Sequence, residues 1–202
     1  MKKKIPVIVV SGFLGSGKTT FLRYLLKESN KKFGLIINEF GDVGIDGDLI
    51  KSCDKCEKSE DFVIELNNGC LCCSVQDDFV PSIKALLEFN PPIESIIIET
   101  SGLALPIPLI KALNWPEIRS SIYLVVVVGI VNGESMLNGS PINDLNKITK
   151  QYNETDKIDH NATIDELFEE QLEVSDIVLV SRSDILNDDQ FDVVKNLSLI
   201  HI

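Results

Sequence analysis

The sequence predicts an α/β protein built on a mostly parallel sheet with helices on both faces. Three observations lead there. Apolar runs of strand length alternate with helix-patterned segments along the chain. The runs are continuously apolar rather than alternating, as in strands covered on both faces. The first run feeds directly into a glycine-rich turn followed by a helical pattern.

Taken in order, the predicted strands are Ile5–Val10, Gly34–Ile37, Phe62–Leu66, Ser95–Ile98, Ile122–Val128 and Ile177–Val180. Each is a short apolar run rich in Ile, Val or Phe. Helical periodicity falls at Thr19–Glu28, Val80–Phe89, Ile107–Leu113 and Ile164–Glu173. The stretch from Asn132 to Asn161 is rich in Asn, Gly, Ser, Thr and Asp, and reads as a long surface insertion. No internal repeat and no interdomain linker is evident.

The 202 residues suffice for one domain with a full core. Apolar residues at 44% and charged residues at 25% are ordinary for a globular protein. A net charge of −12 argues against a nucleic-acid backbone as partner. The start, Met1-Lys2-Lys3-Lys4 before Ile5–Val10, superficially resembles a signal peptide. However, the apolar run is short, contains Pro6 and leads into the glycine-rich turn rather than a cleavage site. No apolar stretch is long enough for a membrane span, so a cytoplasmic protein is expected. All five cysteines lie between Cys53 and Cys73, which in a reducing compartment points to metal or redox chemistry before disulfides. The closing hexapeptide, Leu197-Ser198-Leu199-Ile200-His201-Ile202, is what CTG TCT CTT ATA CAC ATC encodes, the mosaic end of a transposase used to make sequencing libraries. The expectation is one domain over residues 1–196, an adapter-derived tail over 197–202, and a reading frame cut short, the alternative for the tail being a natural helix end.

Gly12-Phe13-Leu14-Gly15-Ser16-Gly17-Lys18-Thr19 fits G-x-x-x-x-G-K-[ST], and it sits between a predicted strand and a predicted helix, as a P-loop must. In such a loop backbone N–H groups surround phosphate oxygens, Lys18 reaches the β- and γ-phosphates, and Thr19 ligates Mg²⁺. The helix N-terminus adds partial positive charge. Glu99 ends a predicted strand, where ligand-facing residues of open α/β sheets sit. It would hold Mg²⁺ through water or orient the attacking water; the alternative is an acidic residue in an ordinary turn. Ser181-Arg182-Ser183-Asp184 follows the last predicted strand. Asp184 can accept two hydrogen bonds from guanine and Arg182 can cover the base, although a plain polar turn would look the same.

Gly69-Cys70-Leu71-Cys72-Cys73 places three thiols in four positions. Thiolates suit Zn, Co and Cu(I). If the segment is extended, Cys70 and Cys72 share a face. A helix beginning near Ser74 would lower the pKa of Cys73. The crowding fits an open site completed by a further ligand, against the alternative of buried, inert cysteine. Cys53 and Cys56, at C-x-x-C spacing, would join that site, form another, or sit in an exposed loop. Asp159-His160 fits a turn or a helix entry better than a metal site.

Together these segments resemble the CobW family of P-loop GTPases. The stretches that carry the resemblance are GFLGSGKTT (Gly12–Thr20), NEFGDVGIDG (Asn38–Gly47), ELNNGCLCCSVQDDF (Glu65–Phe79), ETSGLALP (Glu99–Pro106), WPEIR (Trp115–Arg119) and IDELFEEQLEVSDIVLVSRSD (Ile164–Asp184). The resemblance implies that Gly12 to Thr20 bind nucleotide and Mg²⁺, and that Glu39 and Asp42 lie in a first switch region near the γ-phosphate or metal. It further implies that Glu99 is the acidic residue of a second switch, that Cys70, Cys72 and Cys73 bind a transition metal, and that Asp184 reads guanine. WPEIR and the Asp159-His160…Glu166–Leu172 stretch look like the cobalamin-synthesis branch, which implies a GTP-dependent cobalt chaperone supplying a cobaltochelatase. Three departures stand out. Ser-Arg-Ser-Asp replaces the family's Asn-Lys-x-Asp, Asn132 stands where the family usually has Asp, and the later base-binding loop and C-terminal domain are absent.

The expected function is therefore GTP hydrolysis coupled to delivery of Co²⁺ or Zn²⁺ to a metal-dependent client. The rivals are a zinc chaperone or metalloenzyme activator of the same family, a P-loop small-molecule kinase with structural zinc, and a non-hydrolysing nucleotide-gated binding module.

Overall fold

The computed structural model describes residues 3–38, 63–66, 78–90, 92–138 and 164–199. Glu39, Asp42, Asp159, His160 and the cysteines at 53, 56, 70, 72 and 73 lie outside the described residues.

The predicted apolar runs form six strands: β1 (Ile5–Ser11), β2 (Phe33–Asn38), β3 (Val63–Leu66), β4 (Ser95–Glu99), β5 (Ile122–Asn132) and β6 (Ile177–Ser181). They build one sheet in the order β3-β2-β4-β1-β5-β6. Every pairing is parallel, with Val10 opposite Glu99 and Val128 across the centre and Asn38 opposite Leu66 towards one side. Parallel pairing brings the carboxyl ends of all the strands to one edge. The loops after β1, β4 and β6 therefore leave the sheet together, where α/β proteins place ligands.

The continuous apolar runs have the predicted cause. All of β4 is buried, and Ile96 and Ile98 face one layer while Ile97 faces the other. Burying each of these isoleucines contributes roughly 1.5–3 kcal/mol. Leu22 of α1 (Lys18–Glu28) covers the Ile97 face, with Phe21, Leu25 and Leu26 beside it. Ile83 and Leu86 of α2 (Val80–Leu87) and Leu109 and Ala112 of α3 (Pro106–Ala112) cover the opposite face. The predicted helices over Thr19–Glu28, Val80–Phe89 and Ile107–Leu113 are thus present, with ends shifted slightly, and α5 (Ile164–Glu173) matches its predicted bounds.

Two helices depart from the expectation. The insertion expected from Asn132 to Asn161 does not begin at Asn132: that residue closes β5, and Gly133–Leu137 form α4 with Gly133, Ser135 and Met136 buried. The Asn132 side chain accepts a hydrogen bond from Ser135 N at 3.2 Å and so caps this short helix. The Asn- and Gly-rich composition hid it. The second is α6 (Asp188–Leu199), which continues through Leu197–Leu199. It opens with a reciprocal box: Gln190 N donates to Asn187 Oδ1 at 2.9 Å, and Asn187 N donates to Gln190 Oε1 at 3.0 Å. Val194 of α6 packs with Met136 of α4 and Leu172 of α5 in a separate cluster beside the sheet. Among the described residues, no helix is long and apolar enough to cross a membrane.

Candidate functional site

Residues Gly12–Gly17 form a tight loop between β1 and α1, and Lys18–Thr20 open the helix. The loop's glycines at 12, 15 and 17 have φ of 142°, 75° and 103°, values that side-chain-bearing residues rarely adopt and that let the chain turn tightly; a loop of this kind can aim backbone N–H groups at an anion. Gly12 has no substitute, because a Cβ there would stand 2.3 Å from the Ile130 carbonyl oxygen on β5. Ser16 N donates to Phe13 O at 3.1 Å and closes the turn. Lys18, at the first turn of α1, is buried, and its ammonium donates to Gly12 O at 2.8 Å and Phe13 O at 3.2 Å. Those bonds hold a cation across the mouth of the loop.

The nine residues of GFLGSGKTT divide by side. Leu14, Gly15, Gly17, Lys18, Thr19 and Thr20 line a cleft of about 730 Å³. That volume is within the ordinary range for small-molecule sites, ~300–1,000 Å³. Phe13 turns away, into a cluster with Leu103 and Leu167, and its ring meets that of Phe168 with centroids 5.8 Å apart. The Ser16 hydroxyl is buried without a hydrogen-bond partner among the described residues, and such a group has a partner to gain from a bound anion.

From the loop the cleft runs along α1 to the end of β6, past Phe21 and Tyr24 on one wall and Ile130, Leu179, Val180, Ser181 and Arg182 on the other. Sequence patterning did not single out Tyr24 or Leu179, since each looks like an ordinary helix or strand residue. Only the pairing of β6 beyond β5 brings them together. Arg182 occupies left-handed backbone, φ 55°, and its guanidinium pairs with Glu134 of α4. Asp184 follows in an exposed 3₁₀ turn, Ser183–Ile185, beside the cleft but outside its lining. Glu99 ends β4, is 3% exposed and lies in register with Val10 of β1. The loop after it presses on the P-loop, because a Cβ on Gly102 would stand 2.5 Å from Leu14 N. Asn132 reaches the P-loop as well, donating from Nδ2 to Gly15 O at 3.4 Å.

The oxygen donors near Lys18 suit a hard cation: Thr19 lines the cleft and Glu99 stands at the end of the neighbouring strand. For a transition metal, the described residues hold no group of three or more His, Cys, Asp or Glu side chains suited to a metal ion. The C-x-C-C expectation lies outside the described residues. Trp115 and Ile118 of the WPEIR stretch pack into the core below α3, just before the chain enters β5.

Comparisons with known proteins agree with this architecture. The chain is 48% identical over 185 residues to a protein from Sinorhizobium sp named zinc chaperone CobW, covering 91% of this chain and 52% of that protein. It is 40% identical over 188 residues to the zinc chaperone CobW of Pseudomonas aeruginosa, covering 91% and 50%. The chain thus spans about half the length of these curated relatives. Among solved structures, Zn(II)-bound YjiA GTPase from E. coli superposes with a TM-score of 0.57 at 20% identity, covering 99% of this chain and 54% of that one, a likeness of fold. The profile described as "CobW/HypB/UreG, nucleotide-binding domain" matches residues 6–199, and the chain belongs to that family.

Proposed function

We propose that this chain is the nucleotide-hydrolysing part of a GTP-dependent metallochaperone, with a transition-metal ion as cargo on Cys70, Cys72 and Cys73. The observation that carries the reading is topological. The chain leaves β3 at Leu66 on the same sheet edge from which the P-loop leaves β1, and the C-x-C-C run begins four residues later. Three strand spacings of ~4.8 Å separate the two exits, close enough for bound nucleotide to influence thiolates. In this reading Gly12 to Thr20 cradle the phosphates, Lys18 neutralises charge developing on the γ-phosphate, and Thr19 and Glu99 hold Mg²⁺ directly or through water. Mg²⁺, when bound, draws charge from the β- and γ-phosphate oxygens. Glu39 and Asp42, on the chain leaving β2, would complete the site from the same edge. Arg182 and Asp184 would meet the guanine where the cleft reaches β6.

The cobalamin branch and a cobaltochelatase client remain the implication of WPEIR and its companion stretches. The names of the curated relatives favour zinc as cargo, and thiolates accept either ion, with Zn²⁺ the tighter of the two. Release to a client follows if GTP orders the thiolate site and hydrolysis relaxes it.

Co²⁺ serves as the spectroscopic probe. Thiolate-to-metal charge-transfer absorption is followed with GDP and with a non-hydrolysable GTP analogue, and Zn²⁺ is then added as competitor. Metal affinity is expected to rise with the GTP analogue by ~5- to 150-fold, and GTP affinity to rise equally with metal. Cys72→Ser should weaken the band. Equal Co²⁺ affinity in both nucleotide states would remove the load-and-release mechanism.

A further inference from the structure

The loop that follows Glu99 is held at both ends by different parts of the fold. At its start, Thr100 N donates to Val10 O at 3.0 Å and the Thr100 hydroxyl to Ser11 Oγ at 3.2 Å, which ties it to β1. At its far end the hold comes from α5. Gln171 is 2% exposed, and its side-chain amide donates from Nε2 to Gly102 O and to Ala104 O, each at 3.2 Å. Two carbonyl acceptors use both N–H bonds of that amide, and they settle which end of it faces the loop. Between these anchors Gly102 is pressed against Leu14 of the P-loop, where a Cβ would approach Leu14 N to 2.5 Å. Leu103 joins Phe13 and Leu167 in one apolar cluster, so the same three elements also meet through packing.

A glutamine is a poor choice for filling such a place. Its Oε1 is buried with no hydrogen-bond partner among the described residues, a cost that an apolar side chain would avoid. In exchange the amide does something packing cannot: it fixes the directions of two peptide groups in the loop.

We propose that Gln171 is a positioning residue for GTP hydrolysis, holding the Gly102–Ala104 backbone against the P-loop and carrying the nucleotide state of that loop into α5. The proposal rests on the GTPase reading above. The hydrogen bonds that hold Lys18 and the strand register that holds Glu99 do not include Gln171. Loss of the amide should therefore leave nucleotide binding intact and impair the step that needs the loop in register.

The test uses the full chain carrying Gln171→Met, which keeps volume and removes both donors. The kcat for GTP hydrolysis should fall about tenfold or more, the cost of a small misplacement near the reacting groups. GDP affinity and KM for GTP should stay within about twofold. A kcat within twofold of the parent, or equal losses in kcat and GDP affinity, overturns the proposal. Hydrogen exchange on the parent chain gives a second reading that needs no variant to fold. Amides of Leu103–Leu105 and of Phe168–Leu172 should change protection together between GDP and a non-hydrolysable GTP analogue. An α5 equally protected in both states overturns the proposal. A parent chain that binds GTP without hydrolysing it would sink the GTPase reading, while the exchange measurement, needing only bound nucleotide, still tests the latch.

Discussion

At its phosphate end the cleft is walled by backbone that the sheet itself holds in place. Gly12 lies under the Ile130 carbonyl, Gly102 under Leu14, and the Lys18 ammonium is buried on two main-chain oxygens. At the β6 end the wall is made of side chains. Arg182 and Glu134 pair across it at 54% and 44% exposure, and Asp184 stands on an exposed turn. The same ligand would thus be gripped by two kinds of structure. On the proposed reading, phosphate binding would be tied to the integrity of the fold, whereas base choice would rest on a few surface groups that can change without disturbing it.

Mutations at the two ends can break or sharpen that contrast. The largest effect is expected from Lys18→Ala, which removes the buried cation and leaves the Gly12 and Phe13 carbonyls without their donor. Affinity for GTP and ATP alike should fall roughly 10- to 100-fold, the worth of a charge-assisted contact to phosphate. Competition against a fluorescent nucleotide would measure it, and a loss confined to GTP would contradict the assignment of this end to phosphate. Asp184→Asn is next: the preference for GTP over ATP should shrink by about tenfold, while affinity for ATP holds. Equal affinity of the parent for both nucleotides would show that this turn reads no base. The smallest effect belongs to Glu134→Ala. An ion pair this exposed contributes at most ~1 kcal/mol to stability, so thermal unfolding should barely move and nucleotide affinity should change by a few-fold at most. A loss exceeding that of Asp184→Asn would mean the β6 end is as firmly built as the P-loop.

Legibility in the sequence followed the same divide. The P-loop could be read because its glycines, lysine and flanking elements are contiguous, and each residue type answers a local demand. The strands could be read because their runs are continuously apolar, as burial on both faces demands of β4, although Tyr123, Val125 and Ile177 of β5 and β6 are exposed. Gln171 could not: in Glu169-Glu170-Gln171-Leu172 it looks like part of a solvated helix face, and only the approach of the loop after β4, from 67 residues earlier, buries it. Tyr24 and Leu179 were hidden for the same reason. The start of α6 was readable, since Asn187 and Gln190 have capping-box spacing, but Asn187-Asp188-Asp189 also fits a turn. α4 was hidden by composition: Gly133 and Ser135 are weak helix formers, and the Asn132 cap and the burial of Met136 override that preference.

The position of β1 at the centre of the sheet has a consequence for how the protein comes into being. Within this domain the P-loop is synthesised before the segments that support it: Thr100 bonds to Val10 across 90 residues of sequence and Asn132 to Gly15 across 117. A nascent chain that has displayed the whole G-x-x-x-x-G-K-T motif therefore still lacks a phosphate site until β4 and β5 have been made and docked beside β1. Contacts this distant slow folding, and they make nucleotide a ligand of the finished sheet alone. Bound at 100 times its Kd, such a ligand adds ~2.7 kcal/mol to the stability of the completed domain, so the nucleotide pool would govern how long a newly folded molecule persists as well as what it does.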